Sequence, residues 1–93
     1  MTVTPVNFTA SGAVRLVPGT LMGYTVRETA GTDAVVNVYD NTSAATGALL
    51  ATIGLGPKES RDINFDRGRT ASNGIYVEVS SGSNVLGSLM VAP

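Results

Sequence analysis

The residues that could do chemistry are concentrated between Lys58 and Arg69, a stretch that holds more than half of the ionised side chains. Two of its carboxylates, Asp62 and Asp66, have the chemistry of an acid–base pair such as glycoside hydrolysis requires. Their spacing across the end of a predicted strand gives no shared cleft, and the chain has no His or Cys to support them. The stretch is predicted either as a solvated strand and loop whose charges pair locally, or as a polar contact surface for a protein partner, where Arg is favoured.

Two further motifs resemble ligand sites but lack the required spacing. Asp40 and Asn41 supply two oxygen ligands in a loop, without the acidic spacing and terminal Glu of a calcium loop. Residues 54–60 are rich in glycine, but they do not have the spacing of a phosphate-binding loop, and Pro57 removes an amide donor. A capping or Asx-turn role explains Asp40.

Composition excludes most catalytic machinery and most non-protein partners. The 93 residues contain no Cys, His or Trp, so disulfides, thiolate chemistry and imidazole bases are absent. Lys and Arg number 6, Asp and Glu number 7, and a net charge of -1 is too small to attract nucleic acid or anionic lipid. No apolar run reaches the roughly 18 residues of a membrane span. We therefore expect a soluble, non-enzymatic protein with no cofactor, no nucleic acid partner and no membrane partner.

The elements that carry these residues are predicted to be β-strands throughout. Helical periodicity is missing, Gly recurs at short intervals, and short β-branched and aromatic runs alternate in polarity between turn signals. Hairpin-length links then predict one small antiparallel β-sandwich of about seven strands, of jelly-roll or immunoglobulin-like type. The predicted strands cover residues 13–17, 21–29, 34–40, 49–55, 60–65, 75–80 and 84–92, with a turn at Ser81, Gly82 and Ser83 before the last.

Residues 1–12 form an extended N-terminal arm ahead of the predicted sandwich domain at residues 13–93. Pro5 cannot donate to a β-ladder, so the arm is predicted as an edge strand or an extended tail. Its apolar spacing is typical of a segment that adds a strand to a neighbouring protein. A domain of this length without disulfides or metal has a small core, which favours oligomerisation or docking on a larger body.

Alternation in the second predicted strand places Met22, Tyr24 and Val26 on one inner face. Tyr24, Tyr39 and Tyr76 would form a sugar-stacking platform only if all three shared one sheet face. The predicted alternation gives Tyr24 and Tyr76 opposite facings, so the sequence favours packing of these rings in the core or at an edge.

Five motifs follow one another from Gly19 to Gly82: GTLMGY at 19–24, VYDNTSA at 38–44, GALLATI at 47–53, PKES at 57–60 and GIYVEVSSG at 74–82. In this order they resemble small β-sandwich proteins of the virions of tailed bacteriophages, especially phages of actinobacteria. Some of these proteins are similar to capsid decoration or minor structural proteins. The motifs consist of turn and strand residues, so the resemblance concerns the fold more than the role.

The resemblance implies a decoration or cement protein on the outside of an icosahedral head, made in the host cytoplasm. Such a protein is often a trimer and strengthens contacts between subunits of the major capsid protein. On this expectation the apolar contacts are Val3, Val6 and Phe8, and the polar contacts are Arg67 and Arg69.

Two other roles are consistent with the same composition and motifs. One is a component of a tail or head fibre. The other is a carbohydrate-binding module that recognises host-surface glycans through exposed Tyr side chains and the pair Asp40 and Asn41.

Overall fold

The computed structural model of the chain describes residues 2–80 and 83–93, and in these residues it contains β-strands and no helix. β-branched and aromatic side chains favour this backbone because they pack well on a pleated surface. No helix of the described residues has the length and apolarity needed to cross a membrane. The eight strands are β1 (Thr4–Phe8), β2 (Gly12–Arg15), β3 (Gly19–Glu28), β4 (Ala34–Tyr39), β5 (Leu49–Leu55), β6 (Ser60–Ala71), β7 (Ile75–Val79) and β8 (Val85–Ala92).

The strands form two four-stranded antiparallel sheets. Sheet A has the order β1-β8-β3-β6 and sheet B the order β2-β7-β4-β5. The pairs β1·β8, β2·β7, β3·β6 and β4·β5 are nested, as in one long hairpin that has been rolled up into two sheets. This nesting is the jelly roll. The predicted antiparallel β-sandwich is therefore confirmed, with eight strands rather than seven.

The additional strand comes from the N-terminal segment. β1 pairs with β8 along its whole length and is an edge strand of sheet A, which is one of the two alternatives that Pro5 left open. Phe8 is only 6% exposed, and a Cβ on Gly87 would collide with its ring. Residues 4–8 and Gly12 thus lie within the two sheets, although residues 1–12 were expected to form an arm ahead of the domain.

The core lies between the sheets and follows the alternation of the strands, except where a strand bulges. β7 buries Ile75 and Val77, as its alternation predicts. In β3 the register shifts between Leu21 and Gly23, so Leu21 is fully buried while Met22 is only partly buried. The predicted inner face of β3 is therefore wrong at Met22 and correct for its next two members.

The connections between strands gather at the two ends of the sandwich. At one end lie the β3–β4 loop and the β5–β6 turn, together with Glu28, and we call it the Glu28 end. At the other end lie the β4–β5 loop and the β6–β7 turn, together with Asp40, and we call it the Asp40 end. Of the turn predicted before β8, Ser81 and Gly82 lie outside the described residues.

Candidate functional site

The most deeply buried charged group of the described residues belongs to Glu28, whose side chain has 0% exposure. A buried carboxylate requires hydrogen-bond donors, and it has about four acceptor positions. Here all four partners are backbone amides, three in the β3–β4 loop and one in the β5–β6 turn, so little capacity remains for a substrate. The donors are Ala30 at 2.8 Å, Gly31 at 2.7 Å, Thr32 at 3.2 Å and Lys58 at 3.0 Å.

Two residues with positive φ let these amides converge on the carboxylate. Gly31 has φ 82°, which glycine adopts without steric cost, and Lys58 has φ 60°. Lys58 is also held by its ammonium group, which donates to the carbonyl oxygen of Thr29 at 2.6 Å. The amide of Lys58 is the largest cause that keeps the pKa of Glu28 below its usual value of 4.5; burial opposes it, and the three loop amides add to it.

At the Asp40 end, the carboxylate of Asp40 likewise accepts hydrogen bonds from backbone amides of a turn. Its carboxylate accepts bonds from the amides of Ser72 at 3.0 Å, Asn73 at 2.8 Å and Gly74 at 3.4 Å. The Asn73 amide is the main cause that lowers the pKa of Asp40 from its usual 3.8, while burial acts in the opposite direction. The carboxylate therefore joins the β4–β5 loop to the β6–β7 turn and is occupied by structural bonds.

Asn41 holds the β4–β5 loop itself. Its Oδ1 accepts bonds from the amides of Ser43 at 2.9 Å and Ala44 at 3.1 Å, and its Nδ2 donates to the carbonyl oxygen of Thr46 at 3.1 Å. This is the Asx-turn geometry that was expected for the neighbouring Asp40. Both members of the proposed glycan-contact pair are thus engaged in structural bonds, Asp40 with the β6–β7 turn and Asn41 within its own loop.

The charged stretch between Lys58 and Arg69 forms the β5–β6 turn and most of β6, an edge strand. Arg61 lies 3.5 Å from Glu59, and Asp62 accepts a bond from the hydroxyl of Thr25 at 3.2 Å. Asp66 lies where β6 bulges away from β3, between the paired positions of Asn64 and Arg69. Within residues 2–80 and 83–93 no group of three or more carboxylates could hold a metal ion.

The structure places the five predicted contact residues at opposite edges of sheet A. Val3 is 42% exposed, Val6 is half-buried and the Phe8 ring is in the core, all at β1. Arg67 and Arg69 lie on β6, which is separated from β1 by the two strands β8 and β3.

Arg69 has an internal role. Its guanidinium lies 4.2 Å from the centre of the Phe65 ring and donates to the carbonyl oxygen of Leu50. The five residues therefore do not form one continuous surface, and Phe8 and Arg69 are engaged in packing.

The outer face of sheet B brings together residues that lie far apart in the sequence. Tyr39 and Tyr76 are register partners in β4 and β7. Leu49, 52% exposed, stands opposite Tyr39 on β5, and Val35, 43% exposed, lies two pleats further along β4. We call Val35, Tyr39, Leu49 and Tyr76 the tyrosine face. Tyr24 is elsewhere: it is in the core, edge-on to Phe65 at 6.1 Å between ring centroids.

A row of hydrogen-bonded polar side chains lies beside the two tyrosines. Asn37 donates to Glu78 Oε1 at 3.0 Å and accepts from the hydroxyl of Thr52 at 2.6 Å. The row crosses β7, β4 and β5 and fixes the rotamers of all three side chains. The alternation of β7 predicted the outward position of Tyr76. The expectation that the rings pack in the core or at an edge holds for Tyr24, whereas Tyr39 and Tyr76 lie on the two central strands of sheet B. The pairing of β4 with β7 was not predicted, because no local signal specifies it.

No protein-family model, no curated protein and no solved structure matches the chain. The function must therefore be argued from the geometry of the surfaces described above together with the motif resemblance.

We predict that Glu28→Gln lowers the midpoint of thermal unfolding at pH 7 by roughly 10 °C, because an amide cannot accept four N–H bonds and presents its own N–H groups to backbone donors. The contribution of Glu28 to stability is fully present above its unfolded pKa of 4.5 and is lost as the pH falls through the lower folded value, since the unfolded chain takes up the proton first. The variant should therefore lose less free energy of unfolding below pH 4.5 than the natural chain does.

Urea unfolding between pH 7 and pH 3 measures this difference. The matched control is Asp33→Asn, which removes an exposed carboxylate from the same loop and should behave like the natural chain. An acid dependence of Glu28→Gln equal to that of the natural chain would contradict the role given to Glu28.

Proposed function

We propose that the chain is a non-enzymatic structural protein of a tailed-bacteriophage virion. It binds the outside of the capsid as a decoration protein and strengthens contacts between subunits of the major capsid protein. The motif order from Gly19 to Gly82 supports the viral assignment. The observation that carries a docking role is the tyrosine face on the outer side of sheet B.

The composition of the tyrosine face is that of a protein interface. Interface centres are enriched in Tyr and depleted of charged residues. Here two half-buried Tyr rings lie side by side with the exposed Leu49 next to Tyr39, and the exposed Val35 lies beyond the polar row. That row contains one ionised group, Glu78, which is bonded to Asn37. Half-buried rings on paired strands have little rotamer freedom to lose on binding, which favours affinity.

The size of the face also suits one partner surface. The Cα extents of the molecule are 35 × 25 × 17 Å, and the two larger extents define a sheet face of roughly 900 Å². Specific protein interfaces bury about 800 Å² per partner, so one face of this sandwich can supply a complete interface. Of the residues first expected to bind the capsid, Val3 next to β1 and Arg67 on β6 lie at the two edges of sheet A and do not belong to this face.

A second role, recognition of host-surface glycans, is favoured by the position of the polar row. Asn37, Thr52 and Glu78 are held beside the rings of Tyr39 and Tyr76, and a sugar binds by stacking on an aromatic ring while its hydroxyls bond to such fixed polar groups. The two roles use the same face and differ in their ligand. Asp40 and Asn41 take no part in it.

We predict that the double variant Tyr39→Ala, Tyr76→Ala binds heads at least about tenfold more weakly than the natural chain, the loss expected when central aromatic contacts are removed. The measurement is occupancy on purified heads that lack the protein, with folding of each variant checked by circular dichroism. Leu86→Ala is the matched control, since Leu86 is 57% exposed on β8 of the opposite sheet, and it should bind normally.

Equal occupancy of the double variant and the natural chain would contradict docking through the tyrosine face. The natural chain could instead fail to bind heads and bind a glycan array, with the Tyr76→Ala variant losing that binding. This result would reject the capsid role and support recognition of host-surface glycans.

A further inference from the structure

We infer that β5 is a pairing edge for a second copy of this chain, so that two copies join antiparallel along β5 and sheet B continues across a two-fold axis. The inference rests on the four edge strands and does not depend on the proposed function.

Three of the four edges carry features that block strand pairing, and these are the features by which β-proteins prevent association of their edges. β1 contains Pro5, which has no N–H to donate. β2 has four residues and a register shift. β6 bulges opposite β3, has a positive φ at Gly68 and carries five ionised side chains, Arg61, Asp62, Asp66, Arg67 and Arg69.

The fourth edge lacks these features from Ala51 to Leu55, since its register shift against β4 lies before Ala51. β5 has the sequence LLATIGL, with no charge, no Pro and no positive φ. It pairs with β4 on one side, and no other strand of the described residues pairs with it. Arg69 covers the carbonyl oxygen of Leu50 at the start of the strand. From Ala51 to Leu55 the described part of the chain makes no backbone hydrogen bond except those of the β4 ladder.

A two-fold axis at Ile53 suits this open segment. Antiparallel pairing then places Thr52 opposite Gly54 of the second copy on the outer face, and both residues are small. A Cβ on Gly54 would meet no atom within 4 Å, so the space beside it is open. Because β5 is uncharged, no like charges lie opposite each other along the two paired strands, which is a condition for a self-complementary strand pair.

The blocked state of the other three edges also determines which strand of a second copy can pair with β5. An open edge can pair only with another open edge, and on this chain the described strands offer one such edge, β5. The contact is therefore isologous and closes at two copies instead of growing into a fibre. It differs from the three-fold arrangement that the motif resemblance implies.

The dimer has a consequence for binding. A two-fold axis perpendicular to sheet B keeps both outer faces on the same side, so the two tyrosine faces point in one direction. Two faces on one body can then engage a repetitive surface together, with an avidity greater than either face alone provides.

The inference is tested by sedimentation equilibrium of the natural chain and of three glycine variants, with folding verified by circular dichroism. At loading concentrations up to about 1 mM the natural chain should reach twice its 9.5 kDa chain mass. Gly54→Lys and Gly54→Glu should each raise the dimer dissociation constant at least about tenfold, since like charges introduced at diagonal positions lie about 7–8 Å apart.

Mixing Gly54→Lys with Gly54→Glu should restore dimers, because the introduced charges are then opposite. The matched control is Gly12→Lys on the other edge of sheet B, where a Cβ also meets no atom within 4 Å, and it should dimerise normally. The inference is overturned by a natural chain that stays at the single-chain mass or forms trimers. It is also overturned by Gly54 variants that dimerise as the natural chain does, or by a mixture that does not recover.

Discussion

Two carboxylates that accept backbone N–H bonds fix the connections at the two ends of this jelly roll. The β3–β4 loop, the β5–β6 turn and the β6–β7 turn are three of the connections in which the chain changes sheets, and the chain has no disulfide to fix them. Glu28 binds the first two of these connections at one end, and Asp40 binds the third at the other. A buried carboxylate without donors would be strongly unfavourable, so each connection must keep its conformation for the fold to persist.

The tyrosine face follows from this arrangement. Asp40 comes directly after Tyr39, and its amide donors come directly before β7, which carries Tyr76. The bonds therefore fix the ends of the two strands whose pairing brings the rings side by side. The same bonds occupy the carboxylates of Glu28 and Asp40, which leaves little capacity at these two groups for another ligand. The two strands held in this way present aromatic and aliphatic side chains on the outer side of sheet B.

The sequence predicted the fold class because strand alternation and turn residues are local signals. β4 and β7 follow their alternation, whereas β3 departs from it at Met22, where a bulge that no residue type announces shifts the register. The buried position of Glu28 was not predicted for a related reason. An acidic residue at the end of a strand is expected to be exposed, and one of the donors to Glu28 is an amide 30 positions away. The contact residues at β1 and on β6 were predicted from the apolar spacing of the N-terminal arm and from the preference of interfaces for Arg, and the sheet order separates them. The pairing of Tyr39 with Tyr76 depends on the same long-range order.

The most direct test of the two-carboxylate account is a carbon-detected NMR titration of the side-chain carboxyl groups of Glu28 and Asp40. The account predicts midpoints below the usual 4.5 and 3.8, respectively, with the amide protons of Gly31, Lys58 and Asn73 shifting at the same pH as the carboxylate each one binds. Midpoints at or above those values, with amide protons that do not respond, would contradict it.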